Sequence, residues 1–222
     1  YLSGQIGVGE LSSGMVKVPD TQLNVMIVPG IRGVSVAGLN DVVRGEETLL
    51  AGWLQQPTDC EAVFCLPGTH SKWIVAREGQ VNQLTTFMTG ELFELMRTRS
   101  ILAPLIDSQA VADSKSDIFC KGLTLAKSAA GLLHQIFAIR AGALTGQFAK
   151  SDILTLLSGV LVGAECLAAK SLVQNRSVTL MSSGDLKQTY QNAFEHFGFV
   201  FNIVDSEQAA HKGFFSIFNQ IQ

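Results

Sequence analysis

The stretch Ala62-Val63-Phe64-Cys65-Leu66-Pro67-Gly68-Thr69-His70-Ser71-Lys72-Trp73-Ile74-Val75-Ala76 decides how this chain of 222 residues is read. The apolar run Ala62 to Leu66 has the length and composition of a buried strand, and Trp73 to Ala76 reads as a second. The Gly-Thr turn between them makes a hairpin whose tip offers unhindered backbone N–H groups, a hydroxyl and one ammonium to a single point. Holding a phosphate chain requires that set, so phosphate handling is the first functional expectation.

Two more polar islands flank the hairpin, Arg44-Gly45-Glu46-Glu47-Thr48 and Thr89-Gly90-Glu91-Leu92. Upstream, Leu23 to Pro29 reads as an apolar strand and Asp41 to Leu54 as a helix with charged first turns. Downstream, Thr89 to Arg99 reads as a helix, and residues 104–117 are polar and poor in pattern. Lys121 to Ala130 and Leu132 to Ile139 read as helices, and Ser151 as the N-cap of another running to about Lys170. Within it, Gly159 and Gly163 lie one turn apart and allow another element to come close. After Asn175 strand and helix alternate: strand Val178 to Met181, turn Ser182-Ser183-Gly184, helix Asp185 to Phe197 closed by Gly198, strand Phe199 to Val204, and a last helix capped by Ser206. The Ser-Ser-Gly turn puts small residues and free N–H groups at a helix start, a seat for the polar part of a nucleotide. Phe93, Phe137, Phe194, Phe214 and Phe218 read as core.

The composition is that of a globular, cytoplasmic protein of one or two domains, 47% apolar. A net charge of -3 gives no general attraction to nucleic acid or to an anionic membrane. The longest apolar stretch, Ile153 to Ala169, is interrupted by Ser158, Gly159, Gly163 and Glu165. It falls short of the roughly 20 uninterrupted apolar residues of a membrane span and reads as a buried helix. Cys60, Cys65, Cys120 and Cys166 read as reduced thiols packed in a core, since Cys60 and Cys65 lack C-x-x-C spacing. His70 has no partner at ligand spacing, so no protein-held metal site is expected, and His134, His196 and His211 read as structural.

The segments Val43 to Thr48, Leu66 to Trp73, Met88 to Leu92 and Leu157-Ser158-Gly159-Val160-Leu161-Val162-Gly163-Ala164-Glu165 resemble those of the 2-dehydro-3-deoxygalactonokinases, and the similarity runs over nearly the whole chain. The resemblance implies an α/β fold of the actin/hexokinase/Hsp70 ATPase type, with two ribonuclease H-like lobes closing on ATP, Mg²⁺ and a sugar acid. It implies an Asp-x-Gly phosphate loop in a strand pair ahead of Tyr1, which nothing in this sequence matches. The first lobe is then expected to be incomplete, with residues 1–100 its remainder and residues 101–222 a mostly helical second lobe holding adenosine. Residues 1–222 alone are expected to aggregate and to lack kinase activity.

The implied reaction is transfer of the ATP γ-phosphoryl group to the terminal hydroxyl of 2-dehydro-3-deoxy-D-galactonate. By the order of elements in related sugar kinases, Glu46 is the expected base, with Asp41 and Glu47 as rivals. Gly68, Thr69 and His70 would face the β- and γ-phosphates with Lys72 as counter-charge, and Ser182, Ser183 and Gly184 would lie near adenine and ribose. Arg44 suits the substrate carboxylate, because guanidinium pairs with it in a bidentate fashion. Glu47 is placed with the substrate, and Glu91 either binds a sugar hydroxyl or caps its own helix. ATP and the sugar acid are the expected small-molecule partners, and a homodimer is compatible with the reading.

Overall fold

The computed structural model describes residues 1–55, 61–107 and 109–220. The chain opens with strand β1 (Leu2–Ser3), helix α1 (Val8–Ser13), strands β2 (Val16–Lys17), β3 (Met26–Ile27), β4 (Ile31–Val34) and β5 (Asn40–Val43), and helix α2 (Glu47–Leu54). A meander follows: β6 (Ala62–Leu66), β7 (Ser71–Arg77) and β8 (Gln80–Phe87). Four helices come next, α3 (Thr89–Arg99), α4 (Asp117–Leu125), α5 (Gly131–Leu144) and α6 (Ile153–Val173). The chain closes with β9 (Val178–Met181), α7 (Gly184–Phe197), β10 (Phe201–Val204) and α8 (Ser206–Phe218).

The main sheet has the order β10-β9-β6-β7-β8. β6, β7 and β8 pair antiparallel, while β9 lies parallel to β6 with Val63 opposite Val178, and β10 lies parallel to β9. Helices cover both faces, which is why Ala62 to Leu66 reads as a continuous apolar run. Phe64, Leu66, Ile74 and Ala76 face a core completed by Leu50 and Leu54 of α2 and Ala209 and Ile217 of α8. Val63, Cys65, Trp73 and Val75 face the other way, onto Phe119 of α4, Cys166 and Ala169 of α6 and Phe194 of α7. A third cluster joins the first half of α6 to Leu102 and Ile139. A smaller sheet, β1-β4-β5, holds the N-terminal part.

Two helix pairs touch at backbone distance. A Cβ on Gly159 would lie 2.5 Å from the Phe119 carbonyl of α4, as the paired glycines of α6 predict. A Cβ on Gly213 of α8 would overlap the Thr48 carbonyl of α2, so α8 lies directly against the helix that begins beside Glu46. By length and composition α6 could cross a membrane, but it is packed inside the protein against α3, α4, α5 and α7.

Several expectations are corrected. Residues 40–43 form strand β5 against β4 rather than the start of a helix, because Val42 and Val43 are β-branched and Gly45 at φ +109 breaks the chain before α2. Only Met26–Ile27 of the expected strand at 23–29 pairs, and that strand is exposed. The main sheet takes strands from both sides of residue 100, since β6 to β8 and β9 to β10 share it. Asp205 rather than Ser206 caps α8, accepting from the Glu207 and Gln208 N–H groups. A short 3-10 turn, Lys150–Asp152, leads into α6 where Ser151 was expected to cap it. Phe194 is core, but Phe137, Phe214 and Phe218 face outward, and Cys120 is exposed while Cys65 and Cys166 are buried. Cys60 lies outside the described residues.

Candidate functional site

β6 and β9 run parallel, so the turn after β6 and the turn after β9 emerge at the same edge of the sheet. Ligands of open α/β sheets collect at this carboxyl end. The start of α2 reaches the same place, and the three segments enclose a cleft of about 300 Å³. Its walls are Glu46 and Leu49, Leu66 to His70, Met181 to Ser183, Leu186 and Ser206.

The hairpin tip is fastened from one side by the first turn of α3. The Glu91 N–H donates to the Thr69 carbonyl at 2.9 Å, and His70 Nε2 lies 2.5 Å from Glu91 Oε2. Gly90 makes this contact possible, since a Cβ there would lie 2.5 Å from the Gly68 carbonyl oxygen and 2.8 Å from Thr69 Cα. On the other side α7 begins after the extended Ser183, whose side chain caps none of its N–H groups and instead meets Ser206 Oγ at 2.8 Å. A 14-residue helix with an uncapped start presents N–H groups and the positive end of its dipole toward the cleft.

A second cavity of about 270 Å³ adjoins the cleft and shares Gly68 and Leu186 with it. It lies between Thr89, Phe93 and Arg97 of α3, residues 110–112, Ser158 and Leu161 of α6, and Asp185, Thr189 and Tyr190 of α7. Two adjoining spaces, one around the Gly68-Thr69 hairpin tip and a helix start, the other walled mainly by apolar side chains, suit a molecule with an anionic part and an apolar part.

A family model described as 2-keto-3-deoxy-galactonokinase matches residues 1–217. The chain belongs to this family. It is 31% identical over 218 residues to the 2-dehydro-3-deoxygalactonokinase of Escherichia coli strain K12, an alignment covering 98% of this chain and 72% of that one. A protein of Rhizobium meliloti strain 1021, provisionally named for the same activity, is 31% identical over 217 residues, covering 96% of this chain and 70% of the relative. The crystal structure of a candidate 2-dehydro-3-deoxygalactonokinase from Sinorhizobium meliloti superposes with a TM-score of 0.90 at 30% identity, over 100% of this chain and 72% of that one.

For this 2-keto-3-deoxy-galactonokinase family member, Glu46, Gly68, Thr69, His70, Ser182 and Ser183 meet in the cleft. Glu46 is half-buried, and among the described residues only its Oε2 is engaged, by the Arg44 N–H at 3.2 Å. Arg44 is exposed and its guanidinium makes no ion pair among the described residues. Gly184, at φ +58, turns the chain into α7.

Four of the expected site residues are engaged by groups of the protein itself. Lys72 faces away from the hairpin tip: alternation along β7 sends it to the β5 and β8 side, where its ammonium donates to Thr86 Oγ1 at 3.1 Å and lies 3.4 Å from the Val42 carbonyl. The Glu91 carboxylate is engaged with His70. Glu47 is buried and its carboxylate accepts from the Gly45 N–H at 2.6 Å, shaping the turn before α2. Burial raises the Glu47 pKa, against the pull of its backbone hydrogen bonds. Asp41, the rival base, is consumed by the Thr86 N–H at 2.7 Å, Thr86 Oγ1 at 2.6 Å and the Val42 N–H at 2.7 Å.

Glu165, in the sequence only a break in the apolar stretch 153–169, is a further residue of the site's surroundings. It is buried in α6, where its carboxylate accepts from Trp73 Nε1, the Tyr190 hydroxyl and Thr89 Oγ1. The signal was a lone acid in an otherwise apolar helix, since a fully buried carboxylate is rare without partners.

Proposed function

We propose that this protein transfers the γ-phosphoryl group of ATP to the terminal hydroxyl, O6, of 2-dehydro-3-deoxy-D-galactonate in galactonate breakdown, a cytoplasmic reaction. One observation carries the reading: the cleft gathers an acid, Glu46, with the Gly68-Thr69 hairpin tip and an uncapped helix start at one sheet edge. The family membership and the names of its relatives supply the substrate. The sheet, an antiparallel meander continued by two parallel strands, supports a ribonuclease H-like lobe of an actin-type ATPase. On this reading the lobe is the main sheet, β6 to β10, with α2 and α8 packed on one face and α4, α6 and α7 on the other, and the smaller sheet belongs to the other lobe.

The chain's residues divide the work as phosphoryl transfer demands, mainly by positioning and charge stabilisation. Backbone N–H groups of Gly68 and Thr69 and the α7 start hold phosphate oxygens, and the adjoining cavity takes the base. Glu46 accepts the proton of the attacking hydroxyl as its oxygen bonds to the γ-phosphorus and the bond to the ADP oxygen breaks. Arg44, whose backbone N–H meets the Glu46 carboxylate, takes the substrate carboxylate. A magnesium ion entering with the nucleotide would supply charge neutralisation beside Gly68, Thr69 and the α7 start. Among the described residues no three His, Cys, Asp or Glu side chains converge, which suits an ion carried mainly by the nucleotide.

A coupled assay for ADP release with 2-dehydro-3-deoxygalactonate, its C4 epimer and a neutral six-carbon polyol tests this. ADP release fastest with the galacto acid and absent with the polyol is expected. Equal turnover of the polyol would point to a kinase of another substrate class. ATP binding without turnover of any acceptor would point to a non-enzymatic regulator.

A further inference from the structure

We propose that Glu165 is a positioning residue, a common anchor through which the hairpin, the first turn of α3 and the wall of α7 are held in register. Its part in phosphoryl transfer rests on the kinase reading above. Oε1 accepts from the Trp73 indole N–H at 2.9 Å, and Oε2 accepts from the Tyr190 hydroxyl at 2.8 Å and from Thr89 Oγ1. Ser71 Oγ lies 2.8 Å from the Tyr190 hydroxyl. An indole can only donate, and the Tyr190 proton is directed at Glu165, so the Tyr190 oxygen accepts from Ser71. Every hydrogen in the network therefore points toward one carboxylate.

That carboxylate is 2% exposed and makes no ion pair among the described residues. Burial raises its pKa, and the bonds from Thr89, Trp73, Tyr190 and Ser71 pull it back down. A buried acid without a cation is costly, and an apolar side chain would fill α6 with less penalty. The partners show what the acid accomplishes. Ser71 follows His70 at the end of the hairpin, Thr89 precedes the Gly90 that touches Gly68, and Tyr190 and Thr89 both line the second cavity. One rigid acceptor thus fixes both phosphate-side and base-side walls without reaching either space.

Glu165→Gln keeps the shape but supplies one acceptor and one donor, so Thr89 and Tyr190 must reorient. The test compares this variant and Glu165→Asp with wild type by ADP-release kinetics, by amide hydrogen exchange over residues 68–72, and by the indole N–H resonances of the two tryptophans, Trp53 and Trp73. For Glu165→Gln the expected result is a folded protein with kcat lower by about 10- to 100-fold, a raised KM for ATP and an unchanged KM for the sugar acid. Hairpin exchange should be at least several-fold faster, and the Trp73 signal alone should move. Glu165→Asp, keeping the charge, should recover part of the exchange protection. A lower melting temperature with wild-type kcat and unchanged hairpin exchange would overturn the proposal. Were the full-length wild type to release no ADP, the kinase reading would fall, while hairpin exchange would still decide the anchor: faster in Glu165→Gln upholds it, unchanged removes it.

Discussion

Gly90→Ala isolates the fit between α3 and the hairpin from everything else in the site. The new methyl carbon would start 2.5 Å from the Gly68 carbonyl oxygen and 2.8 Å from Thr69 Cα, whereas real Cβ atoms essentially never come under 3.0 Å. Both neighbours are backbone, so no side chain can swing aside, and the tip must retreat by about 0.5 Å, the difference between 3.0 and 2.5. Two effects on stability oppose each other: overpacking costs about 1–3 kcal/mol, and replacing a helical glycine by alanine returns about 0.5–1 kcal/mol. The net loss, between about zero and about 2.5 kcal/mol, lowers Tm by at most roughly 5–10 °C at this chain length. Catalysis should suffer more, because a displacement approaching 1 Å costs on the order of 100-fold in a reaction that depends on alignment. A coupled ADP-release assay beside a thermal melt reads both quantities. A kcat within about threefold of wild type, with Tm unchanged, would show that the hairpin does not position the reacting phosphate.

Other substitutions probe separate parts of the account. Arg44→Ala should raise KM for the sugar acid by about 10- to 150-fold, the equivalent of 1.5–3 kcal/mol for a charge-assisted pair, while KM for ATP stays constant in steady-state assays. Gly213→Ala drives a methyl into the Thr48 carbonyl and should cost about 3 kcal/mol, lowering Tm by roughly 6–12 °C in calorimetry. Glu47, with its pKa raised by burial, ionises earlier in the unfolded chain than in the folded one. The folded state then holds more protons in the window above 4.5, and stability falls as pH rises through it, levelling off beyond the folded pKa. Glu47→Gln keeps an oxygen for the Gly45 N–H and should shrink that slope in urea melts taken at increasing pH.

The hairpin was legible because both faces of β6 are buried, which leaves an unbroken apolar run ending in Pro67-Gly68. The turn at Ser182 was legible for the same reason, following the buried strand β9. Their meeting was not, since it depends on β9 pairing parallel with β6 across more than a hundred residues. Lys72 looked like a phosphate ligand by nearness in sequence to Gly68, but the side chain's face is set by the pleat, and its partner Thr86 comes from β8. Glu91 gave no sign of its bond to His70, 21 positions away. The acidic pair Glu46-Glu47 signalled a helix start correctly, yet the preceding Asp41 was drawn into that helix when its role is to join β5 to β8.

The measurement that bears most directly on the central claim is the paired determination of kcat and the ATP dissociation constant for Glu46→Gln. The amide preserves the size of a side chain that lines the cleft and removes only its capacity to accept the proton. The account predicts a kcat about 100- to 10,000-fold below wild type with ATP binding unchanged. Turnover close to wild type would contradict it and take the base away from Glu46.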